Sequence, residues 1–255
     1  MRVPGGEGHV VTETLTDDGA GSEPDVVIRL LHSAADVKRL ASMFDQVWGA
    51  DTPVVAVELL RAVGHAGGYV AAAHDGDQIV GGSMGFLARH LDEPALHSHI
   101  TGVLPGVRHT GLGRAMKQHQ RAWAAERGLT WITWTFDPLV RANAWFNLGA
   151  LGAEVHEYLV DFYGPMDDSI NAGDESDRLL VAWAVAGQHA PTAPADEQET
   201  FTVPTPEDIV VLRRTSPGDA AVWRRRVRVE LGGPLAAGAT VVGFNRGGDY
   251  VVRPA

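Results

Sequence analysis

Residues 97–117 bring together a histidine pair, a glycine turn and basic side chains within one short segment. Residues 96–103 can be extended and are predicted to form a β-strand, and Gly111 and Gly113 predict a tight turn after it. Apolar side chains then repeat at helical spacing up to Gly128. A helix that starts directly after a turn directs unpaired N–H groups, and the positive end of its dipole, toward whatever lies beyond the turn. The segment therefore predicts a site for an anion such as a diphosphate.

The turn has a more specific pattern. The spacing Arg108-x-x-Gly111-x-Gly113, with Val103 and Pro105 ahead of it, resembles the acyl-CoA-binding motif of the GCN5-related N-acetyltransferase (GNAT) superfamily. The resemblance implies an α+β fold with a mixed central β-sheet of about seven strands flanked by helices. It also implies acetyl-CoA or another acyl-CoA as co-substrate, no metal, and transfer of the acyl group by direct attack in a ternary complex.

The resemblance also implies which residues bind the acyl-CoA. In the family, a free backbone N–H of the strand before the motif polarises the thioester carbonyl, and the corresponding donor here is Val103 or Leu104. Asn143 and Asn147 belong to the helix that flanks the pantetheine arm in the family. The binding residues implied are Val103, Leu104, Arg108, His109, Thr110, Gly111, Leu112, Gly113, Arg114 and Asn143.

Acyl transfer to an amine needs a base for the ammonium, a donor for the developing oxyanion and a proton for the departing thiolate. His97 and His99 lie two residues apart on the predicted strand, so their side chains share one face, and an imidazole can take up the proton of an ammonium. Their placement resembles the paired histidines of arylalkylamine N-acetyltransferases. The alternative is a pair of partly buried histidines that only pack against neighbouring strands.

The sequence departs from the family pattern at the position of the acid that protonates the leaving thiolate. Many relatives carry a tyrosine four residues before the glycine that closes the helix after the fifth strand, and counting back from Gly152 gives Leu148. Tyr158 and Tyr163, both predicted on the next strand, are the remaining candidates, and Tyr163 is taken as the third catalytic residue. Water is the alternative proton source.

The acceptor is predicted to be a small-molecule amine or amino acid. The first two helices and the fifth strand border the acceptor pocket in the family, so Phe44, Trp48 and Trp134 are expected to line it. Packing in the hydrophobic core is the alternative for all three aromatic side chains.

Composition excludes several classes of function. The chain of 255 residues has no cysteine, which excludes disulfides, thiolate metal sites and a cysteine nucleophile. Its formal net charge of −11 argues against a nucleic-acid partner, because such proteins need a basic face. There is no apolar run of membrane-spanning length and no signal-peptide pattern near the first residue, so a cytoplasmic protein without a membrane partner is expected.

Four segments are expected along the chain. These are a flexible tail over 1–25, an acyltransferase domain over 26–186, a Pro- and Ala-rich linker over 187–200 and a small C-terminal αβ extension over 201–255. A segment of fewer than 60 residues can hardly form a hydrophobic core of its own, so the extension is expected to dock on the main domain or on a second subunit of a homodimer.

Within the main domain, strands are predicted over 26–31, 69–74, 78–88, 96–103, 130–136, 154–163 and 178–185, and helices over 33–47, 54–63, 112–127 and 141–151.

Three other functions are considered. Gly81-Gly-Ser83-Met-Gly85 matches the G-x-S-x-G elbow of serine hydrolases, but an elbow needs a helix after the serine, and Pro94 arrives before one can form. A non-catalytic acyl-CoA-binding module is favoured by the missing tyrosine and opposed by the histidine pair. An acyltransferase could also take its acyl group from the phosphopantetheine of a carrier protein, since that arm is shared with CoA.

Overall fold

The computed structural model describes residues 26–49, 52–108, 110–164, 166, 174–187 and 199–255. The predicted tail, most of the predicted linker and His109 lie outside these ranges.

Seven strands form one central sheet. They are β1 (Val27–Leu30), β2 (Tyr69–Asp75), β3 (Gln78–His90), β4 (Glu93–Val103), β5 (Trp131–Phe136), β6 (Glu154–Leu159) and β7 (Arg178–Ala184). Their order across the sheet is β1-β2-β3-β4-β5-β7-β6. The pair β4–β5 is parallel and the other pairs are antiparallel, so the sheet is mixed.

Helices cover both faces of this sheet. They are α1 (Ala34–Trp48), α2 (Val57–His65), α3 (Leu112–Ala125) and α4 (Arg141–Ala144), which continues as a π-helical turn over Trp145–Ala150. The glycines of β3 show how the layers are arranged, because successive strand residues face opposite sides. A Cβ added at Gly82 would meet Leu40 of α1, whereas one added at Gly81 would meet Met116 of α3. The side chains of α1 and α3 therefore pack on opposite faces of the sheet.

Strands β4 and β5 separate along their length. They pair only from Ala95 opposite Trp131 to His97 opposite Thr133. Beyond that point β4 remains paired with β3 as far as Val103, while β5 remains paired with β7. A gap therefore opens between the two central strands, and it begins at His97.

A tight hairpin joins β3 to β4. Leu91 and Asp92 both have positive φ, 49° and 61°, so two ordinary residues take the left-handed conformation that a two-residue hairpin needs. The strands consequently run to His90 and from Glu93, several residues beyond the predicted bounds of 78–88 and 96–103. No Asn-Gly or Asp-Gly signal marks this turn in the sequence.

The C-terminal residues form a second, three-stranded sheet in the order β8-β10-β9 with helices between its strands. The elements are β8 (Phe201–Pro204), α5 (Ile209–Thr215), α6 (Pro217–Val227), a π-helical turn over Arg228–Gly232, α7 (Gly233–Ala236), β9 (Thr240–Phe244) and β10 (Asp249–Arg253). Their core is continuous with that of the main sheet, since buried Val252 and Leu231 belong to the same cluster as Trp134. Tyr250 also donates a buried hydrogen bond of 2.7 Å to the carbonyl of Pro138.

The predicted α+β class, with a mixed sheet of seven strands and a C-terminal αβ extension, is confirmed. One predicted strand is too long. β6 ends at Leu159, and residues 160–163 form a turn in which Asp161 has a φ of 45°. Tyr163 consequently lies in a turn and not on a strand. In the described ranges, no helix has the length and apolar character needed to cross a bilayer.

Candidate active site

The backbone of β4 presents free N–H groups to the gap. The N–H of Leu104 donates to the carbonyl of Val80 at 2.9 Å, so these two residues form a hydrogen-bonded pair of the β3–β4 ladder. In an antiparallel ladder such pairs alternate with pairs that point their N–H groups outward. Val103, opposite Gly81, and Thr101, opposite Ser83, therefore direct their N–H groups away from β3 and toward the gap.

This geometry separates the two predicted oxyanion donors. The prediction of Leu104 as the oxyanion donor is wrong, because its N–H already donates to Val80 within the sheet. Val103 keeps the required orientation. Thr101 has the same orientation and was missed by the sequence analysis, because backbone donors have no side-chain signature.

The glycine turn lies at the end of β4. A 3₁₀ turn over Pro105–Val107 leads to Gly111, which caps α3 with a φ of 87° and so needs glycine. The first turn of α3 closes when the N–H of Arg114 donates to the carbonyl of Gly111 at 2.9 Å. The hydroxyl of Thr110 donates a hydrogen bond of 2.8 Å to the carbonyl of Val107 and so stabilises the loop that leads into α3.

The space in front of this turn is open. A Cβ added at Gly113 would meet only the ring of Phe146, at 3.8 Å, and one added at Gly111 would meet nothing within 4 Å. The side chains of Arg108 and Arg114 are exposed beside it. Unpaired amides, a helix dipole and two guanidinium groups around an open cradle fit the diphosphate of a CoA thioester.

A pocket of about 320 Å³ lies on the α1–α2 face of the sheet, where the gap begins. Its lining comes from α2, β3, β4 and the turn after β6, and consists of Leu59, Val63, Met84, Phe86, His97, His99, Phe162 and Tyr163. The structure therefore brings together all three predicted catalytic residues. The five apolar wall residues were missed by the sequence analysis, because their sequence positions carry no chemical signal.

The two histidines are held in different ways. The Nδ1 atom of His97 lies 3.0 Å from the hydroxyl of Thr133, across the last paired position of β4 and β5. His99 is the extra residue of a β-bulge, since the register passes from Gly85 opposite Ser98 to Met84 opposite Ile100. The ring of Phe86 packs against both imidazoles, with centroid distances of 5.2 and 5.9 Å.

Both imidazoles are neutral at neutral pH. Burial chiefly lowers the pKa of His97 to about 4, and repulsion from Lys117, and from His99 when it is protonated, acts in the same direction. Burial also lowers the pKa of His99. Each ring therefore carries one unprotonated nitrogen, and in His97 the free Nε2 is that nitrogen when Nδ1 donates to the hydroxyl of Thr133.

Two tyrosines were considered as leaving-group acids. Tyr163 lines the pocket, and its hydroxyl lies 3.1 Å from that of Thr135 on the β5 side of the gap. Tyr158 instead donates its hydroxyl to Asp177 at 2.7 Å, and burial together with that carboxylate raises its pKa. Of these two tyrosines, Tyr163 is the one that lines the pocket.

Three predicted substrate-lining residues lie elsewhere. Phe44 has no accessible surface and packs beneath Gly82, so it belongs to the core. Trp48 packs its ring edge on to Phe44 and lies against Gly102. Trp134 is on the α3 face, opposite the pocket, because it alternates with Thr133 along β5.

The two predicted asparagines differ in exposure. Asn147 is buried and accepts a hydrogen bond of 3.1 Å from the indole N–H of Trp134, so its side chain stabilises the protein interior. Asn143 is exposed on α4. Asn143 remains a predicted ligand of the pantetheine arm.

A buried polar network under β4 was not predicted. Lys117 is 4% exposed, donates to Ser98 at 2.9 Å and to Gln120 at 3.3 Å, and lies 3.8 Å above the ring of Trp134. Burial lowers its pKa to about 7. The same network holds Ser83, which accepts from Gln120 in the middle of β3 and so does not occupy a nucleophile elbow.

Residues 37–150 match the family model described as "Acetyltransferase (GNAT) family". These residues form a GNAT acetyltransferase domain. The resemblance carried by Arg108, Gly111 and Gly113 is thereby confirmed at the level of family. No curated protein matches the chain. Across the described residues, no group of three or more His, Asp or Glu side chains is arranged to hold a metal ion.

Solved structures share the fold. A GNAT-family protein from Desulfovibrio desulfuricans is 20% identical, with a TM-score of 0.50 over 63% of this chain and 99% of its own. The yncA protein of Salmonella typhimurium, solved with its cofactor acetyl-CoA, is 17% identical, with a TM-score of 0.50 over 66% and 98%. Aminoglycoside 6′-acetyltransferase type Ii is 15% identical, with a TM-score of 0.51 over 64% and 99%.

Proposed function

We propose that this GNAT protein transfers an acetyl or other acyl group from acyl-CoA to the amino group of a small molecule, by direct attack in a ternary complex. The observation that carries the proposal is the gap between β4 and β5. The histidine pocket lies where the gap begins, at His97, and the anion-binding turn lies where β4 ends, near Gly111. A thioester donor that spans the gap would meet an amine in the pocket.

On the donor side, the chain supplies positioning and electrostatic stabilisation. The first turn of α3, with Arg108 and Arg114, would hold the diphosphate. The outward N–H groups of Thr101 and Val103 would donate to the thioester oxygen as negative charge develops on it. The Salmonella yncA structure, solved with acetyl-CoA on the same fold, supports acetyl-CoA as the donor.

On the acceptor side, the chain keeps the amine nucleophilic. His97 or His99, both neutral, would take a proton from the ammonium directly or through a water. The amine nitrogen then bonds to the acyl carbon while the bond from that carbon to sulfur breaks, and the nitrogen releases its surplus proton to water. The thiolate that leaves takes a proton from Tyr163, which lines the same pocket, or from water.

The donor site is tested by filling the cradle. Gly113→Val places a side chain where only Phe146 is near, so the fold should tolerate it, but the side chain would occupy the space of the diphosphate. Calorimetry should show a Kd for acetyl-CoA raised by about 100-fold, close to 3 kcal/mol. Gly218→Val is the matched control, because Gly218 is likewise the second residue of a helix, α6, and has nothing within 4 Å.

Turnover is tested with acetyl-CoA, a panel of amines and a thiol reagent. The His97→Gln, His99→Gln double variant should lower kcat by about 10² to 10⁴, the range for loss of a general base, whereas His32→Gln on an exposed loop should not. Equal CoA affinity in Gly113→Val and wild type would refute the donor site. Full activity of the His97→Gln, His99→Gln double variant would refute the proposed base.

A non-catalytic acyl-CoA-binding module is the second candidate. It is favoured by Leu148 in the place of the family tyrosine and by the weak basicity of His97. Saturable CoA binding without thiol release for any amine, and likewise for acyl-phosphopantetheine on a carrier protein, would establish this alternative.

A further inference from the structure

Lys117 lies at the point where β4 and β5 separate. The last paired residues of the two strands are His97 and Thr133. Nζ of Lys117 donates a hydrogen bond of 2.9 Å to Ser98, the next residue of β4, and lies 3.8 Å from the ring centroid of Trp134, the next residue of β5. The nitrogen therefore lies beneath the first open position of the gap, on the α3 face of the sheet.

Two hydroxyls connect Lys117 to a proposed oxyanion donor. The hydroxyl of Ser98, which accepts from Nζ, lies 3.4 Å from that of Thr101, and the backbone N–H of Thr101 points into the gap. A thioester held at Thr101, with its acyl group toward the closed end of the gap, would therefore approach Nζ. The histidine pocket lies on the opposite face, so Lys117 and an acceptor amine would be alternative nucleophiles for one acyl carbon.

The side chain of Lys117 has the chemistry of a nucleophile. Burial lowers its pKa to about 7, so above that pH most of the amine is neutral. A neutral amine has two N–H donors, which match the oxygens of Ser98 and Gln120, and it keeps one lone pair. Desolvation is one of the ways in which proteins activate a lysine for attack on a carbonyl carbon.

We propose that Lys117 is a self-acylation site, at which the chain transfers the acyl group of its bound acyl-CoA to its own Nζ. This inference rests on the proposed function for its donor and goes beyond that function, because it names a modified residue. Nζ bonds to the acyl carbon, the bond from that carbon to sulfur breaks, and the thiolate takes the surplus proton of the nitrogen. Each chain consumes one acyl-CoA and releases one CoA, and the buried amine becomes an uncharged amide.

The composition of the chain supplies an internal reference, because Lys38 on α1 is its other lysine. The full chain is incubated with acetyl-CoA without any amine, and peptide mass spectrometry follows the acetyl group at each lysine. Lys117 should react at least about tenfold faster than Lys38, although Lys117 is 4% exposed and Lys38 is open to solvent. In urea, where the fold and its donor site are lost, the two rates should become similar.

The donor-site variant tests the origin of the acetyl group. Gly113→Val should reduce the acetylation of Lys117 to the rate of Lys38, because acetyl-CoA is no longer held at the cradle. Gly218→Val should keep the wild-type rate at Lys117. A rate at Lys117 that is unchanged in Gly113→Val would show that the acetyl group does not come from the bound donor, and would overturn the inference.

The remaining outcomes separate this inference from the proposed function. Equal rates at Lys117 and Lys38 in a wild-type chain that acetylates amines would overturn the inference and leave the acyltransferase function standing. If acetyl-CoA binds in calorimetry but no amine is acetylated, the function fails, and the ratio of the two lysine rates still decides the inference. A wild-type chain that does not bind acetyl-CoA would overturn both.

Discussion

Lys117 shows how one buried side chain makes stability depend on pH. Its ammonium is desolvated beneath β4, with only hydroxyl and amide oxygens and the face of Trp134 near it among the contacts described above. Burial lowers its pKa from 10.5 to about 7, so between these values the unfolded chain binds a proton that the folded chain does not. Stability therefore rises with pH across this window and is lowest below pH 7.

We predict that Lys117→Met removes this dependence. Urea unfolding between pH 7 and 9 should show wild-type stability rising by up to about 1.4 kcal/mol per pH unit, and a flatter profile for the variant, which is also more stable at pH 7. Lys38 is exposed on α1 and is the chain's other lysine, so Lys38→Met should keep the wild-type slope. A Lys117→Met profile parallel to wild type would contradict the assignment.

At the scale of elements, the turn before α3 combines a structural and a binding requirement. Gly111 has a φ of 87°, and Gly76 in the β2–β3 hairpin has a φ of 53°. An alanine at either position is strained by about 1 to 2 kcal/mol, so both variants should lower Tm to a similar extent. Only Gly111→Ala should also weaken acetyl-CoA binding, because it displaces the first amides of α3. Equal Kd values for the two variants in calorimetry would contradict this prediction.

Element type was predictable from apolar periodicity, whereas strand ends were not. The β3–β4 hairpin turns through Leu91 and Asp92, which have no turn signature, and β6 stops at Leu159 although apolar residues continue to Tyr163. Local sequence does not show where tertiary pairing ends. The motif helix is different, because Gly111 caps its start and Gly128 follows its last residue, Ala125, by three positions, and both glycines have positive φ.

Site residues were predicted correctly where their spacing shows that they share one face of a strand. They were predicted wrongly where the sequence does not show which face of the sheet meets which helix. His97 and His99 were placed together from their separation of two residues. In β5 the same alternation leaves open which face meets α3, so Trp134 was assigned to the pocket although Thr133 is the residue on that side. The β4–β5 gap and its outward amides arise from non-local pairing and have no local signal.

For the whole molecule, buried ion pairs join the main domain to the C-terminal elements. Arg213 of α5 and Arg224 of α6, both nearly inaccessible, contact Asp137 directly after β5. Burial alone would raise the pKa of Asp137, but Arg224, Arg213 and Arg178 around it hold that pKa below its ordinary value. The carboxylate therefore contributes stability above its unfolded pKa and loses it as the pH falls through the folded one.

We predict that Asp137→Asn lowers the free energy of unfolding by about 3 kcal/mol at pH 7, because it leaves buried guanidinium charge without this carboxylate. Urea unfolding at pH 7 measures the loss, and the difference from wild type should shrink toward pH 3. Asp75→Asn, at an exposed position at the end of β2, is the control and should stay within about 0.5 kcal/mol of wild type. A stability of Asp137→Asn equal to the control would show that the ion pairs do not couple the two parts.

Arg141, the first residue of α4, donates from Nε to the hydroxyl of Thr205 at 3.1 Å and from Nη2 to the carbonyl of the same residue. The helix that follows β5 is thus braced by a distant stretch of the polypeptide. Substitution at Thr205 would therefore loosen the start of the helix whose π-helical continuation carries Phe146, the one side chain within 4 Å of the Cβ position at Gly113.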